Sequence, residues 1–168
     1  MSMHRLVTRT TLALATALVA AQAHAAVYVY HCILDPRQET TANASTAQGA
    51  GRFIIDTNAN TVTYRIVYGG LLGTESAAHI HGSATSVPGV NGGVLTALPA
   101  GNPKIGVWNY TEAQEPMILG GLCYANIHSS VAGGGEIRGQ IVPFNALLDA
   151  AQETTPNAST GKGWATAT

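Results

Sequence analysis

Apolar and polar residues alternate along most of this chain, and clusters of turn-forming residues interrupt the alternation at regular intervals. A period of two is typical of strands that bury one face. Turn clusters, such as those at residues 56–60 and 69–70, separate the alternating runs. The pattern predicts eight short strands, at residues 27–34, 50–56, 61–68, 76–82, 94–98, 104–110, 122–129 and 136–142.

Eight short strands with regular turns favour an all-β fold, either an immunoglobulin-like or Greek-key β-sandwich or a barrel. One short helix or turn is expected near residues 117–119, after Thr111 as an N-cap. The glycine run at residues 133–135 is predicted to be the turn of the last hairpin. The formal net charge is only −1, so the sequence has no basic footprint for nucleic acid.

The first 25 residues have the organisation of a secretory signal peptide. A basic start precedes an apolar run at residues 10–21, and Ala23, His24 and Ala25 form a small-x-small cleavage pattern. The apolar run is short for a bilayer span, and no later segment is long and apolar enough. We therefore expect a secreted or periplasmic protein with no membrane span after cleavage.

An internal repeat divides the rest of the chain. Residues 34–49 recur at residues 148–163, with eleven identities in sixteen positions. The prediction is a complete β-domain at residues 26–144. Residues 145–168 are then the start of a second, truncated repeat or a disordered tail.

Three histidines are candidates for a metal site. His79 and His81 flank Ile80, so in a strand both imidazoles lie on one face, with Cα atoms about 6.6 Å apart. His128 is in a separate predicted strand and supplies a third nitrogen. Three neutral imidazoles suit copper or zinc, and His31 is a candidate fourth ligand if its strand is adjacent, or else a packing residue.

The alternative is a structural network on the same face, in which polar side chains satisfy one another. Asn126, Glu136 and Arg138 are its expected members. Glu136 and Arg138 share a face by alternation and form a charge-assisted pair in this interpretation. In the same interpretation, His128 would donate a hydrogen bond to Glu136 across the hairpin.

Cys32 and Cys123 both lie in the part expected to be exported. An even number of cysteines in an oxidising compartment favours a disulfide between them. Two alternatives stay open: Cys123 as a thiolate ligand beside the histidine strand, and two unpaired buried thiols.

Three motifs together resemble the CHRD domain, the module named after chordin. They are Gln38-Glu39-Thr40, residues 77–82 with the loop at 88–92, and residues 124–128 with 134–141. The resemblance covers about 110 residues. It departs from the usual pattern at Cys123 and at Ser129-Ser130. It implies an exported immunoglobulin-like or barrel-like β-domain with no established catalytic reaction.

Two functional hypotheses follow. The first is an exported, non-enzymatic β-module for binding or cell-surface structure, whose partner is an unidentified extracellular or envelope protein. The second is a periplasmic copper- or zinc-binding protein that uses His79, His81 and His128. The His-x-His strand looks similar to that of copper–zinc superoxide dismutases, although their further ligands are not recognisable here.

Overall fold

The computed structural model describes residues 26–85, 90–149 and 162–167, with side chains for residues 26–85 and 90–144. The predicted signal peptide lies outside the described residues. The strands are β1 Val27–Leu34, β2 Gln48–Asp56, β3 Thr61–Gly69, β4 Glu75–Gly82, β5 Gly93–Ala97, β6 Lys104–Asn109, β7 Cys123–Ser129, β8 Ala132–Ile141, β9 Phe144–Asp149 and β10 Lys162–Ala167.

The first eight strands form two antiparallel four-stranded sheets, in the orders β1-β2-β3-β6 and β5-β4-β7-β8. The predicted all-β sandwich is confirmed. A single turn of 3₁₀-helix at Glu112–Gln114 and a short helix, α1 Glu115–Leu119, connect the two sheets. Thr111 precedes them as expected, and its backbone N–H donates to Oε1 of Gln114 over 2.8 Å.

Alternation places the core between the sheets. The inward residues include Phe53, Ile55, Val62, Ile66, Ile80, Ile127 and Ile137, all nearly or fully inaccessible to solvent. Because side chains alternate, the neighbours of Ile80 and Ile127 must lie on the outer face of the second sheet. That geometry sends His79, His81, Asn126 and His128 outward.

The segment between β1 and β2 covers part of this outer face. Asp35 and Arg138 form a backbone bridge, and the Ser45 hydroxyl donates to Glu136 over 2.6 Å. Gln38 accepts from the Gln140 N–H at 3.3 Å. The polar residues of β8 are therefore buried beneath a loop, although they point away from the core.

The β7–β8 hairpin differs from the prediction. Its turn is at Ser130 and Val131, because Ser129 already pairs with Ala132. The glycines at residues 133–135 lie in β8, beside a register irregularity. Only Gly135 among them has a positive φ, of 132°. The glycine run therefore serves a strand irregularity and not the hairpin turn.

The cysteines do not form the expected disulfide. Cys32 lies on β1 and Cys123 on β7, and both are free, buried thiols. The two cysteines belong to the two opposing sheets of the sandwich. Burial raises the pKa of each thiol to about 12, so neither is a ready thiolate ligand.

The hairpin of β9 and β10 repeats the register of the first hairpin. Leu148 pairs with Gly163, as Leu34 pairs with Gly49 in β1 and β2. These pairs are the same positions that the sequence repeat aligns. Whether residues 145–168 begin a second domain stays a prediction, since residues 150–161 lie outside the described part of the chain. Among the described residues, no helix is long and apolar enough to cross a membrane.

Candidate metal centre

Strands β4 and β7 are neighbours, and their pairing gathers the three histidines. The ring centroids are 5.4 Å apart for His79 and His81, 5.1 Å for His79 and His128, and 6.1 Å for His81 and His128. One nitrogen of each ring lies within 4.8 Å of the other two. The structure thus brings together the three residues that the sequence analysis selected. Whether they bind a metal stays a prediction.

Two of the imidazoles have their orientation fixed by backbone carbonyls. Nδ1 of His81 lies 3.1 Å from the Gly92 oxygen, and Nδ1 of His128 lies 3.0 Å from the Gly133 oxygen. A carbonyl oxygen only accepts hydrogen bonds, so both Nδ1 atoms must carry the proton. Each ring then presents Nε2 as a bare lone pair.

The remaining contacts within the cluster follow from these tautomers. Nδ1 of His79 lies 3.2 Å from Nε2 of His128. Because Nε2 of His128 is the acceptor, His79 donates in this bond. Nε2 of His81 is buried and has no hydrogen-bond partner within the described residues. A buried lone pair without a donor is a destabilising arrangement unless something else occupies it.

The surroundings favour neutral imidazoles. Burial lowers the pKa of His79, and the neighbouring His128 lowers it further. Burial is also the largest cause of the lowered pKa of His81; its bond to Gly92 opposes this, while the other two histidines and Arg138 add to it. Neutral imidazole is the form that binds metal ions.

The ring of Tyr124 stacks against the imidazole of His81. Tyr124 lies parallel to it, with ring centroids 5.0 Å apart. The guanidinium of Arg138 lies over the same tyrosine ring at 3.4 Å. The Tyr124 hydroxyl accepts the N–H of Gly92 over 3.0 Å, and Gly92 is the residue whose carbonyl holds His81. Tyr124 therefore contacts both the ring and the loop that orients it.

The predicted supporting network is only partly as expected. Glu136 does not accept from His128, because His128 donates to Gly133 instead. The Glu136 carboxylate accepts from Ser45 and from the Leu72 N–H, both at 2.6 Å. Burial opposes ionisation of Glu136, but hydrogen bonds led by that from Ser129 hold its pKa below the usual range. Glu136 thus fixes the loops of the sandwich rather than the histidines.

Asn126 and Arg138 share a buried site with Glu39, which the sequence analysis did not assign to the network. Burial raises the pKa of Glu39 to about 7, opposed by the charge of Arg138 and a hydrogen bond with Asn126. Burial likewise lowers the pKa of Arg138, opposed by Tyr124 and Glu39. Glu39 belongs to one of the three motifs, but no local pattern indicates that it meets residues nearly a hundred positions further on.

Two other candidates lie away from the cluster. His31 is exposed on the outer face of the opposite sheet, paired with Arg52 across the strands. It is not a fourth ligand. Cys123 points into the core, and among the described side chains no Cys, Asp or Glu joins the three histidines.

Comparison with known proteins identifies the fold unit. The family model described as "CHRD domain" matches residues 30–141, which begins in β1 and ends with the last residue of β8. No curated protein and no solved structure matches the chain. The matched region comprises two thirds of the sequence and includes every residue of the histidine cluster. The chain belongs to the CHRD domain family.

Proposed function

We propose that this protein is an exported, non-enzymatic binding module whose ligand is one transition-metal ion, copper or zinc, held by His79, His81 and His128. The observation that carries the proposal is the pair of carbonyl contacts that leave Nε2 of His81 and His128 unprotonated, in a cluster where one nitrogen of each of the three rings lies within 4.8 Å of the others. Metal-binding histidines characteristically donate their second ring nitrogen to a carbonyl or carboxylate.

The donor set agrees with both metals. Three imidazole nitrogens with one open position occur in zinc sites, and imidazole also suits copper. Only the tautomer of His79 must change for metal binding, because its Nδ1 proton is donated to Nε2 of His128. If that proton moves to Nε2 of His79, Nδ1 becomes free to bind a metal.

The test is the metal content of the full chain, which is expressed with export and purified without a histidine tag. We expect about one equivalent of copper or zinc after incubation with either ion. His79→Gln and His128→Gln should each weaken binding by at least about tenfold. His31→Gln is the matched control, since that histidine is exposed on the other sheet. Equal metal content in all four proteins would refute the site.

Copper and zinc are distinguished by a second measurement. Competition between Zn²⁺ and Cu²⁺, each buffered by a chelator, ranks the affinities after correction for the general preference for Cu²⁺. Nitrogen hyperfine splitting in the electron paramagnetic resonance spectrum of the copper form should indicate imidazole ligands. A spectrum without nitrogen coupling would contradict this ligand set.

Export and the second repeat are separate parts of the proposal. N-terminal sequencing of the mature protein should begin at Ala26. The matching registers of the two hairpins support residues 145–168 as the start of another CHRD unit. If the first unit is complete, a chain ending at Asn145 should melt within a few degrees of the full chain. A large loss of stability would instead make the second hairpin part of the first domain.

A further inference from the structure

Two exposed arginines lie on the outer face of the sheet opposite the histidines. The arginine face is the outer surface of the sheet β1-β2-β3-β6, centred on Arg52 and Arg65. These two residues are direct cross-strand partners, and both are exposed. Directly opposed side chains in antiparallel strands have Cβ atoms about 5 Å apart. Two guanidinium groups are thus held side by side.

This pairing is unfavourable without a counter-charge, because like charges opposite each other destabilise a sheet. Neither arginine forms an ion pair in the portion whose side chains are described. The acidic residue on the same face, Asp56, is at the far end of β2, and its carboxylate accepts from the N–H groups of Asn58 and Ala59. An anion bridging Arg52 and Arg65 would remove the repulsion.

Aliphatic side chains surround the two charges. Ile105 is the partner of Arg65 on β6 and is 60% exposed, and Val107 beside it is 56% exposed. A groove of about 410 Å³ runs over this surface, and its lining includes both arginines together with Ile105, Ile54 and Val67. Its volume is within the range of small-ligand sites. An exposed apolar lining around paired cations is typical of a site for an amphiphile.

We propose that the arginine face binds an anionic head group attached to an alkyl chain. Arg52 and Arg65 bind the carboxylate or phosphate, and Ile105 and Val67 pack against the chain. The occupant is a free amphiphile, a fatty acid or an alkyl phosphate, because the groove has the size of a small-ligand site.

Other ligand classes fit this surface poorly. A peptide strand adds at the edge of a sheet, whereas Arg52 and Arg65 lie on its two central strands. Nucleic acid needs a wider basic surface than two arginines. The aliphatic lining also offers few of the polar groups that a polysaccharide would require.

Calorimetry of the full chain with alkanoates below their micelle concentration tests the proposal. Binding should strengthen by about twofold to fourfold for each methylene added from hexanoate to decanoate. It should weaken with salt, because exposed charges are screened. Arg52→Gln/Arg65→Gln should lose at least about tenfold in decanoate affinity, and Ile105→Thr/Val67→Thr should reduce the dependence on chain length.

Val94→Thr is the control, since Val94 is 58% exposed but belongs to the other sheet. Circular dichroism checks that each variant is folded. Vesicles of phosphatidylglycerol, compared with phosphatidylcholine, test the membrane as the alternative occupant, and binding to vesicles without binding to decanoate would overturn the proposal. It is also wrong if the arginine variant binds decanoate as tightly as the natural protein, or if nothing binds.

Discussion

The imidazole of His81 lies flat on the phenol of Tyr124, with their planes only 4° apart. The residues are cross-strand partners on β4 and β7, so the sheet register itself creates the contact. Arg138 then contacts the tyrosine ring from the third strand. A ring that is both stacked and hydrogen-bonded through Gly92 has little freedom to rotate, which prepares His81 for a ligand.

Replacing Tyr124 should therefore weaken metal binding without removing a ligand. We expect Tyr124→Leu to reduce affinity about tenfold, because the stack and the contact to Gly92 are both lost. Tyr124→Phe retains the stack and should change affinity less than threefold, roughly 0.6 kcal/mol. Titration with a chelator-buffered metal measures both. If the leucine variant binds as tightly as the phenylalanine variant, the ring does not position His81.

Gly135 of β8 should not tolerate replacement by a residue with a side chain. Its φ is 132°, and an added Cβ would lie 2.6 Å from side-chain atoms of both Asn126 and Glu39. We expect Gly135→Ala to lower the free energy of unfolding by about 2–3 kcal/mol.

The neighbouring Gly134 provides the comparison. Nothing lies within 4 Å of a Cβ at this position, and its φ is not in the positive region. Gly134→Ala should therefore change stability by less than about 0.5 kcal/mol. Urea denaturation of both variants measures the difference, and similar losses for the two would show that backbone conformation and contact are not the causes.

Alternation was enough to locate the strands, because each strand buries one face and exposes the other. The predicted strand at residues 61–68 is observed as Thr61–Gly69, and that at 76–82 as Glu75–Gly82. The same rule placed His79 and His81 on one face. The glycine run was misassigned because a positive φ is needed in hairpin turns and strand irregularities alike.

The rest of the site depended on contacts that have no local signature. Gly92 and Gly133 hold the histidines through carbonyl oxygens, which every residue possesses. Glu39 reaches Asn126 only because the loop after β1 folds over β8. The sequence could not show whether the two cysteines form a disulfide, since the distance between two facing sheets depends on packing.

The two thiols should be inert in the folded protein. Both are buried, and burial raises each pKa to about 12, so almost no thiolate exists near pH 8. We expect Ellman's reagent to detect two thiols in denaturant and neither in native buffer within minutes. Detection of no thiol after denaturation without a reductant would mean that a disulfide forms and would contradict the described core.

Glu39 should make stability depend on pH in an unusual direction for a carboxyl group. Its pKa is about 7 in the folded protein against an ordinary value of 4.5. Between these values the folded chain keeps a proton that the unfolded chain releases, so rising pH favours unfolding. The stabilisation is complete below pH 4.5 and is lost as the pH rises through 7.

Glu39→Gln removes this titration and leaves the rest of the buried site in place. The free energy of unfolding of the natural protein is compared with that of Glu39→Gln at each pH. From pH 5 to pH 8 the natural protein should lose about 1–2 kcal/mol relative to the variant, allowing for partial solvent screening. The lowered pKa values of His79 and His81 act in the opposite sense, since their stability contribution is lost as the pH falls below 6.5. Both histidines are present in each protein, so their effect cancels in the difference. Denaturant melts at several pH values measure it, and a difference that is constant with pH, or that favours the natural protein as the pH rises, would show that Glu39 is already ionised in the fold as the partner of Arg138.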